Sequence, residues 1–218
     1  MTAVLFDLDG TLIDSLPNVR DAANAVLNRY GLPDLPSGTV AGFVGLGEQV
    51  FIDRLIAATD LNAVDRDEIM ARFILHYKEE AKKTLLFPGV KSALASLKKK
   101  GFALGLVTNK PRAPLEPTLD AAGLRSLFDV VVAGDDLPKR KPDPAQLLHA
   151  VEALDVPGAV YVGDSETDAA SAQNANMPFV LFTEGIRLSP IEDLPHVACF
   201  DDFADLPELI FGLDHGRS

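Results

Sequence analysis

Cysteine occurs once in these 218 residues, at Cys199. A single thiol excludes an internal disulfide framework and fits a reducing compartment. No cysteine pair with metal-ligand spacing exists, and the four histidines (His76, His149, His196 and His215) show no such spacing either. Basic residues are also scarce: 20 Lys and Arg stand against 32 Asp and Glu, a formal net charge of -12. A surface of that sign cannot release counterions from nucleic acid or dock on anionic lipid, so neither partner is expected. An anionic ligand must instead be captured by local groups. The N-terminus has no basic leader region, and its first apolar run is broken by Asp7, which argues against a signal peptide or membrane anchor. A cytoplasmic location is the expectation. Neither an internal repeat nor a low-complexity tract interrupts the chain.

Short runs rich in Val, Leu and Phe are present instead, at Ala3–Leu8, Ala103–Thr108, Asp129–Ala133, Ala159–Val162 and Phe179–Phe182. Each is strand-length and apolar on both faces, as in a parallel sheet covered by helices. Helical stretches lie between them. Gly89–Lys100 carries Val90, Ala93, Leu94 and Leu97 on one stripe and ends in cations and a glycine. Pro114–Ala122 stops at Gly123, and Pro144–Leu154 opens with a proline suited to a first helical turn. The alternation predicts a doubly wound, Rossmann-like α/β domain. From about Leu16 to Thr84 it fails. Pro17–Tyr30 has helical apolar spacing, and Asp65 with Glu68 resembles a capping box opening a helix that runs towards Lys83. An all-helical insertion at 16–84 is expected, within an α/β core of residues 1–15 and 85–218. Its hinges fall at Ser15–Pro17 and Leu86–Val90. A short edge strand and a final helix are expected near the C-terminus.

Ligands of open α/β sheets bind beyond the carboxyl ends of the strands. Four such ends carry polar groups: Asp7 and Asp9, then Thr108 and Asn109, then Lys141, then Asp164 and Asp168. Singly, each is an ordinary turn former, helix cap or surface charge. Together they suit phosphoryl transfer. Carboxylates converging on one point repel unless a hard cation sits among them, and Mg²⁺ favours a few carboxylates plus water and phosphate. Aspartate is ionised at neutral pH and forms a hydrolysable acyl phosphate. Asp9 lies two residues beyond Asp7 and so shares its side of an extended chain, placed to protonate a leaving oxygen. Lys141 and Thr108 would hold phosphate oxygens.

The stretches "DLDGTLIDS", "GLVTNKP", "GDDLPKRKPDP" and "VGDSETD" occur in the order found in the haloacid dehalogenase superfamily. The chain resembles its phosphatase branch with a helical cap, and most closely the bacterial phosphoglycolate phosphatases. The resemblance implies Asp7 as nucleophile and metal ligand, and Asp9 as general acid then base, its backbone carbonyl on Mg²⁺. It implies Thr108, Asn109 and Lys141 as phosphate ligands, Asp164 as a metal ligand, and Gly10 and Asp168 as supporting residues. In the insertion, "VGLGEQVFIDR" (Val44–Arg54) is expected to select substrate through Gly45, Gly47 and Arg54, the arginine or a nearby cap cation pairing with a carboxylate such as that of 2-phosphoglycolate. Within this reading the partner is a small phosphorylated metabolite and the protein a monomer or homodimer. A sugar phosphate, a nucleotide or pyrophosphate, or a phosphomutase reaction, are alternatives. A phospho-acceptor receiver module is the alternative of another class, but it needs an adjacent acidic pair and has no helical insertion.

Because Asp9 must be protonated while Asp7 beside it is ionised, the rate of hydrolysis should depend on pH as a bell. A pH–rate profile flat from mildly acidic to alkaline conditions would remove Asp9 from the acid role.

Overall fold

Runs that are apolar on both sides have no face to offer water, and here they become the interior strands of one sheet. The computed structural model describes residues 3–80, 83 and 85–215, the side chain of His215 excepted. Its main sheet is parallel throughout, from β1 (Ala3–Phe6), β4 (Ala103–Val107), β5 (Val130–Val132), β6 (Ala159–Gly163), β7 (Phe179–Phe182) and β8 (Ala198–Phe200), in the spatial order β5-β4-β1-β6-β7-β8. β1 is central: Phe6 is in register with Leu106 on one side and Val162 on the other.

Alternation along the strands sorts side chains between two layers. Val4 and Phe6, with Leu104, Leu106, Val160 and Val162, pack under α5 (Val90–Lys99), α6 (Arg112–Ala122) and α9 (Leu206–His215). Ala3 and Leu5, with Tyr161, Phe179 and Leu181, pack under α7 (Ala145–Ala153) and α8 (Glu166–Asn174). The expected α/β core is therefore present, including the C-terminal edge strand and closing helix.

The insertion is helical as expected, with α1 (Leu16–Arg29), α2 (Ser37–Ala41), α3 (Glu48–Ala57) and α4 (Arg66–Glu80). These helices bury an apolar cluster of their own, including Ala23, Leu27, Ile52, Leu55, Ile69 and Phe73. Three details depart from expectation. Asp65 does not cap α4: it lies inside a 3-10 turn at Ala63–Asp65, whose cap is the Asn62 side chain accepting from Val64 N at 3.1 Å. Glu68 is turned to Arg72 at 2.9 Å instead. A two-residue antiparallel ribbon, β2 (Ile13–Asp14) with β3 (Leu85–Leu86), ties together the two passages between core and helices; its strands are too short for a periodicity to reveal. The end expected for the insertion, Thr84, lies outside the described residues, as do residues 81 and 82.

Leu55 is fully buried in the helical cluster. Leu55→Ala should cost roughly 2–5 kcal/mol of stability through lost transfer energy and a residual cavity, measured by urea unfolding.

Candidate active site

Parallel strands bring their carboxyl ends to one edge. β5, β4, β1 and β6 are consecutive neighbours, so the polar residues that follow them meet although they are far apart in sequence.

The first strand leaves the sheet through Asp7, Leu8, Asp9 and Gly10. Gly10 has φ +87° and its N–H donates to Ile13 O at 2.9 Å, turning the chain back. A Cβ there would lie 2.3 Å from Asp164 Oδ2, so only glycine permits both the turn and the contact. Asp164, fully buried, accepts from the Thr11 hydroxyl at 2.6 Å and from Ile186 N at 2.6 Å. Asp168 sits in the first turn of α8: its Oδ2 accepts from Ser165 N at 3.2 Å while Ser165 Oγ accepts from Asp168 N at 3.3 Å, a reciprocal cap, and Ser165 Oγ also donates to Oδ2 at 2.6 Å. The same carboxylate turns Oδ1 to Lys141 Nζ at 2.7 Å and to the Tyr161 hydroxyl at 2.8 Å.

Lys141 sits at the centre, 4% exposed, with Nζ 2.8 Å from Asp7 Oδ1 and donating to the Tyr161 hydroxyl at 2.8 Å. Its backbone N–H is shared between Asn109 Oδ1 (3.0 Å) and Gln146 Oε1 (3.1 Å). Asn109 Nδ2 donates to Lys141 O and to Gly45 O, both at 3.1 Å. The Asn109 carboxamide is thus a brace between two loops, and both of its N–H bonds are committed to backbone. Thr108 Oγ1 accepts from Lys110 N at 3.1 Å, which leaves the hydroxyl proton available to a ligand.

Burial dominates the electrostatics. It pushes the Asp7 carboxyl from 3.8 up to about 7 against the pull of Lys141, with Asp168 adding to the rise. Burial, then Asp168 and Asp7, hold the Asp164 carboxyl well above its usual range. Burial opposes charge on Asp168 too, yet Lys141, Ser165 and Tyr161 keep its carboxyl low. For Lys141 burial is outweighed by Asp168 and Asp7, which hold the ammonium charged. Three carboxylates therefore share one cation. Oxygens of Asp7, Asp164 and Asp168 lie within 4.8 Å of one another, and the charge contact Asp7 Oδ1 makes is to Lys141 at 2.8 Å. An all-oxygen donor set with surplus negative charge fits a hard divalent cation.

Asp9 belongs to a second group. Lys110 Nζ lies 3.1 and 3.3 Å from its two carboxylate oxygens, and the Tyr77 hydroxyl of α4 donates to Oδ1 at 3.3 Å. Both groups face one cavity of about 180 Å³, whose far wall is formed by Val19, Phe51, Phe73 and Ile74 of the helical unit.

Asp7, Asp9, Thr108, Asn109, Lys141 and Asp164 line that cavity, as do Gly45 and Gly47. Gly10 and Asp168 sit behind it, against Asp164 and Lys141. Arg54 is not brought to the site. It lies in the last turns of α3, beyond the loop that faces the cavity, and donates to Gly42 O at 2.7 Å. One of its N–H groups satisfies a carbonyl at the end of α2, and it is not among the residues that line the cavity. Sequence reasoning missed Lys110, Tyr77, Tyr161 and Gln146. Lys110 stood inside "GLVTNKP" and could have been noticed; the other three read as helix or strand interior.

A family model described as haloacid dehalogenase-like hydrolase matches residues 4–182. The chain belongs to the haloacid dehalogenase-like hydrolases. It is 41% identical over 213 residues to a phosphoglycolate phosphatase of Cereibacter sphaeroides, covering 96% of this chain and 98% of the relative. A plasmid-encoded phosphoglycolate phosphatase of Cupriavidus necator is 45% identical over 188 residues, 84% of this chain and 81% of the relative. The crystal structure of a predicted phosphoglycolate phosphatase from Haemophilus somnus superposes with a TM-score of 0.90 at 32% identity, covering 96% and 97% of the two chains. This hydrolase is a phosphatase, phosphoglycolate phosphatase-like, and the receiver-module alternative falls. Among the described residues no helix is long and apolar enough to cross a membrane.

The raised Asp7 carboxyl has a consequence for stability. Between 3.8 and about 7 the folded chain holds a proton that the unfolded chain has released. Its contribution to stability is therefore full below that window and is lost as pH rises through it. A divalent cation must displace that proton at low pH. Millimolar Mg²⁺, used as a probe against chelator, should raise the thermal midpoint more at pH 8 than at pH 5. An equal rise at both would mean that the cation binds elsewhere.

Proposed function

We propose that the protein is a Mg²⁺-dependent phosphomonoester hydrolase that cleaves 2-phosphoglycolate through an aspartyl phosphate on Asp7. The observation that carries this reading is the cluster of three buried carboxylates, Asp7, Asp164 and Asp168, around the single lysine Lys141, with Asp7 and Asp164 facing a small cavity beside Asp9. The likeness to phosphoglycolate phosphatases over most of the chain supports the substrate.

A carboxylate oxygen of Asp7 attacks phosphorus, forming a P–O bond as the ester P–O bond breaks. Asp9 delivers a proton to the departing oxygen, and glycolate leaves. Asp9 then takes a proton from water, whose oxygen attacks phosphorus; the bond to Asp7 breaks, releasing phosphate and restoring the carboxylate. Thr108 and Lys141 hold phosphoryl oxygens, and Asp168 with Tyr161 keeps Lys141 in place. Asp7, Asp164 and the Asp9 backbone carbonyl are the groups that would hold Mg²⁺, which supplies charge neutralisation for the phosphoryl oxygens. The helical unit of residues 16–84 acts as a cap that excludes water, the Gly45–Gly47 loop lying over the phosphate end. The net charge and single cysteine support a cytoplasmic enzyme, monomeric or homodimeric, without nucleic-acid or membrane partners.

Phosphate release from 2-phosphoglycolate should exceed that from sugar phosphates, nucleotides and pyrophosphate by about a hundredfold in kcat/KM, roughly 3 kcal/mol of transition-state preference. Chelator should abolish it, and Asp7→Asn should reduce kcat by a factor on the order of a thousand or more. Comparable turnover of several esters would overturn the substrate while keeping the chemistry. Full activity in Asp7→Asn would overturn the nucleophile.

A further inference from the structure

With Arg54 turned away, another group must meet the second negative charge of a phosphorylated carboxylic acid. Among the described residues that line the cavity, two are cations, Lys110 and Lys141. Lys141 balances two carboxylates, Asp7 and Asp168, and also meets Tyr161. Lys110 balances a single carboxylate. Its side chain is 3% exposed, its ammonium rests 4.3 Å from the centre of the Tyr77 ring, and it makes a close hydrogen bond with the Tyr77 hydroxyl. Its one charge partner there is Asp9, at 3.1 Å.

That partnership fixes where the charge points. An ester oxygen hydrogen-bonded to Asp9 brings the group attached to it against Lys110, since the ammonium touches both Asp9 oxygens. In 2-phosphoglycolate a single methylene separates the ester oxygen from the carboxyl group. Glu48, also on the wall, is itself an anion held 3.4 Å from Arg140, and Val19, Phe51, Phe73 and Ile74 offer nothing to a carboxylate or to sugar hydroxyls.

We propose that Lys110 is the specificity-determining residue, receiving the substrate carboxylate while Tyr77 holds its ammonium in reach. This rests on the 2-phosphoglycolate reading above. A short substrate with an anionic group one carbon from the ester oxygen bridges Lys110 and the Asp7 site; longer or hydroxylated esters meet an apolar wall.

The test compares kcat/KM for 2-phosphoglycolate with that for ethyl phosphate, which has a two-carbon chain but no carboxylate, in the wild type, Lys110→Met and Lys110→Arg. The preference for 2-phosphoglycolate should fall about a hundredfold in Lys110→Met, chiefly through KM, and stay within about tenfold of wild type in Lys110→Arg, which keeps the charge. Lys110→Gln gives the same readout should the methionine variant not fold. If Lys110→Met slows both esters equally and leaves the preference intact, Lys110 serves Asp9 alone and the proposal is overturned. If the wild type itself shows no preference, the substrate reading falls first, and the proposal with it.

Discussion

The Lys141 ammonium, buried among three carboxylates, is the constraint around which the rest of the site is arranged. A buried cation is tolerable only when its donors are all used, and here Asp7, Asp168 and the Tyr161 hydroxyl use them. Because the fit must be close, the backbone carrying Lys141 is itself pinned, by Asn109 from the loop after β4 and by Gln146 from α7. One lysine therefore ties β1, β4, β6 and α7 together at the edge where their ends meet.

The balance of charge at that edge is deliberately incomplete. One ammonium cannot neutralise three carboxylates, and burial leaves Asp7 and Asp164 with raised carboxyls. A cluster of this kind is costly in an empty protein and favourable once a cation and a phosphoryl group complete it. The glycine at position 10 belongs to the same logic, since any larger side chain would occupy the space of the Asp164 carboxylate.

The helical unit contributes from the opposite direction. It has its own apolar cluster and joins the core beside a two-strand ribbon, yet it reaches the site through Tyr77 on Asp9, Gly45 on Asn109 and Glu48 on Arg140. Asp9 and Lys110 lie where the two halves touch.

The sequence by itself determined the α/β core, the helical insertion and the acidic residues at the strand ends. Those features are local: apolar runs, helical stripes, Pro and Gly punctuation, and short motifs whose residues stand next to each other. The tertiary structure decided which side chains are free to act. The Asn109 carboxamide is bound to backbone 32 residues away, and Arg54 donates to the Gly42 carbonyl outside the cavity lining. Tyr77, Tyr161 and Gln146 look like ordinary helix and strand residues, and only the packing of helices and strands brings them to the lysines and aspartates. Hydrogen-bond partners far apart in the chain leave no periodic trace, because they are set by the packing of whole elements rather than by the residues around them.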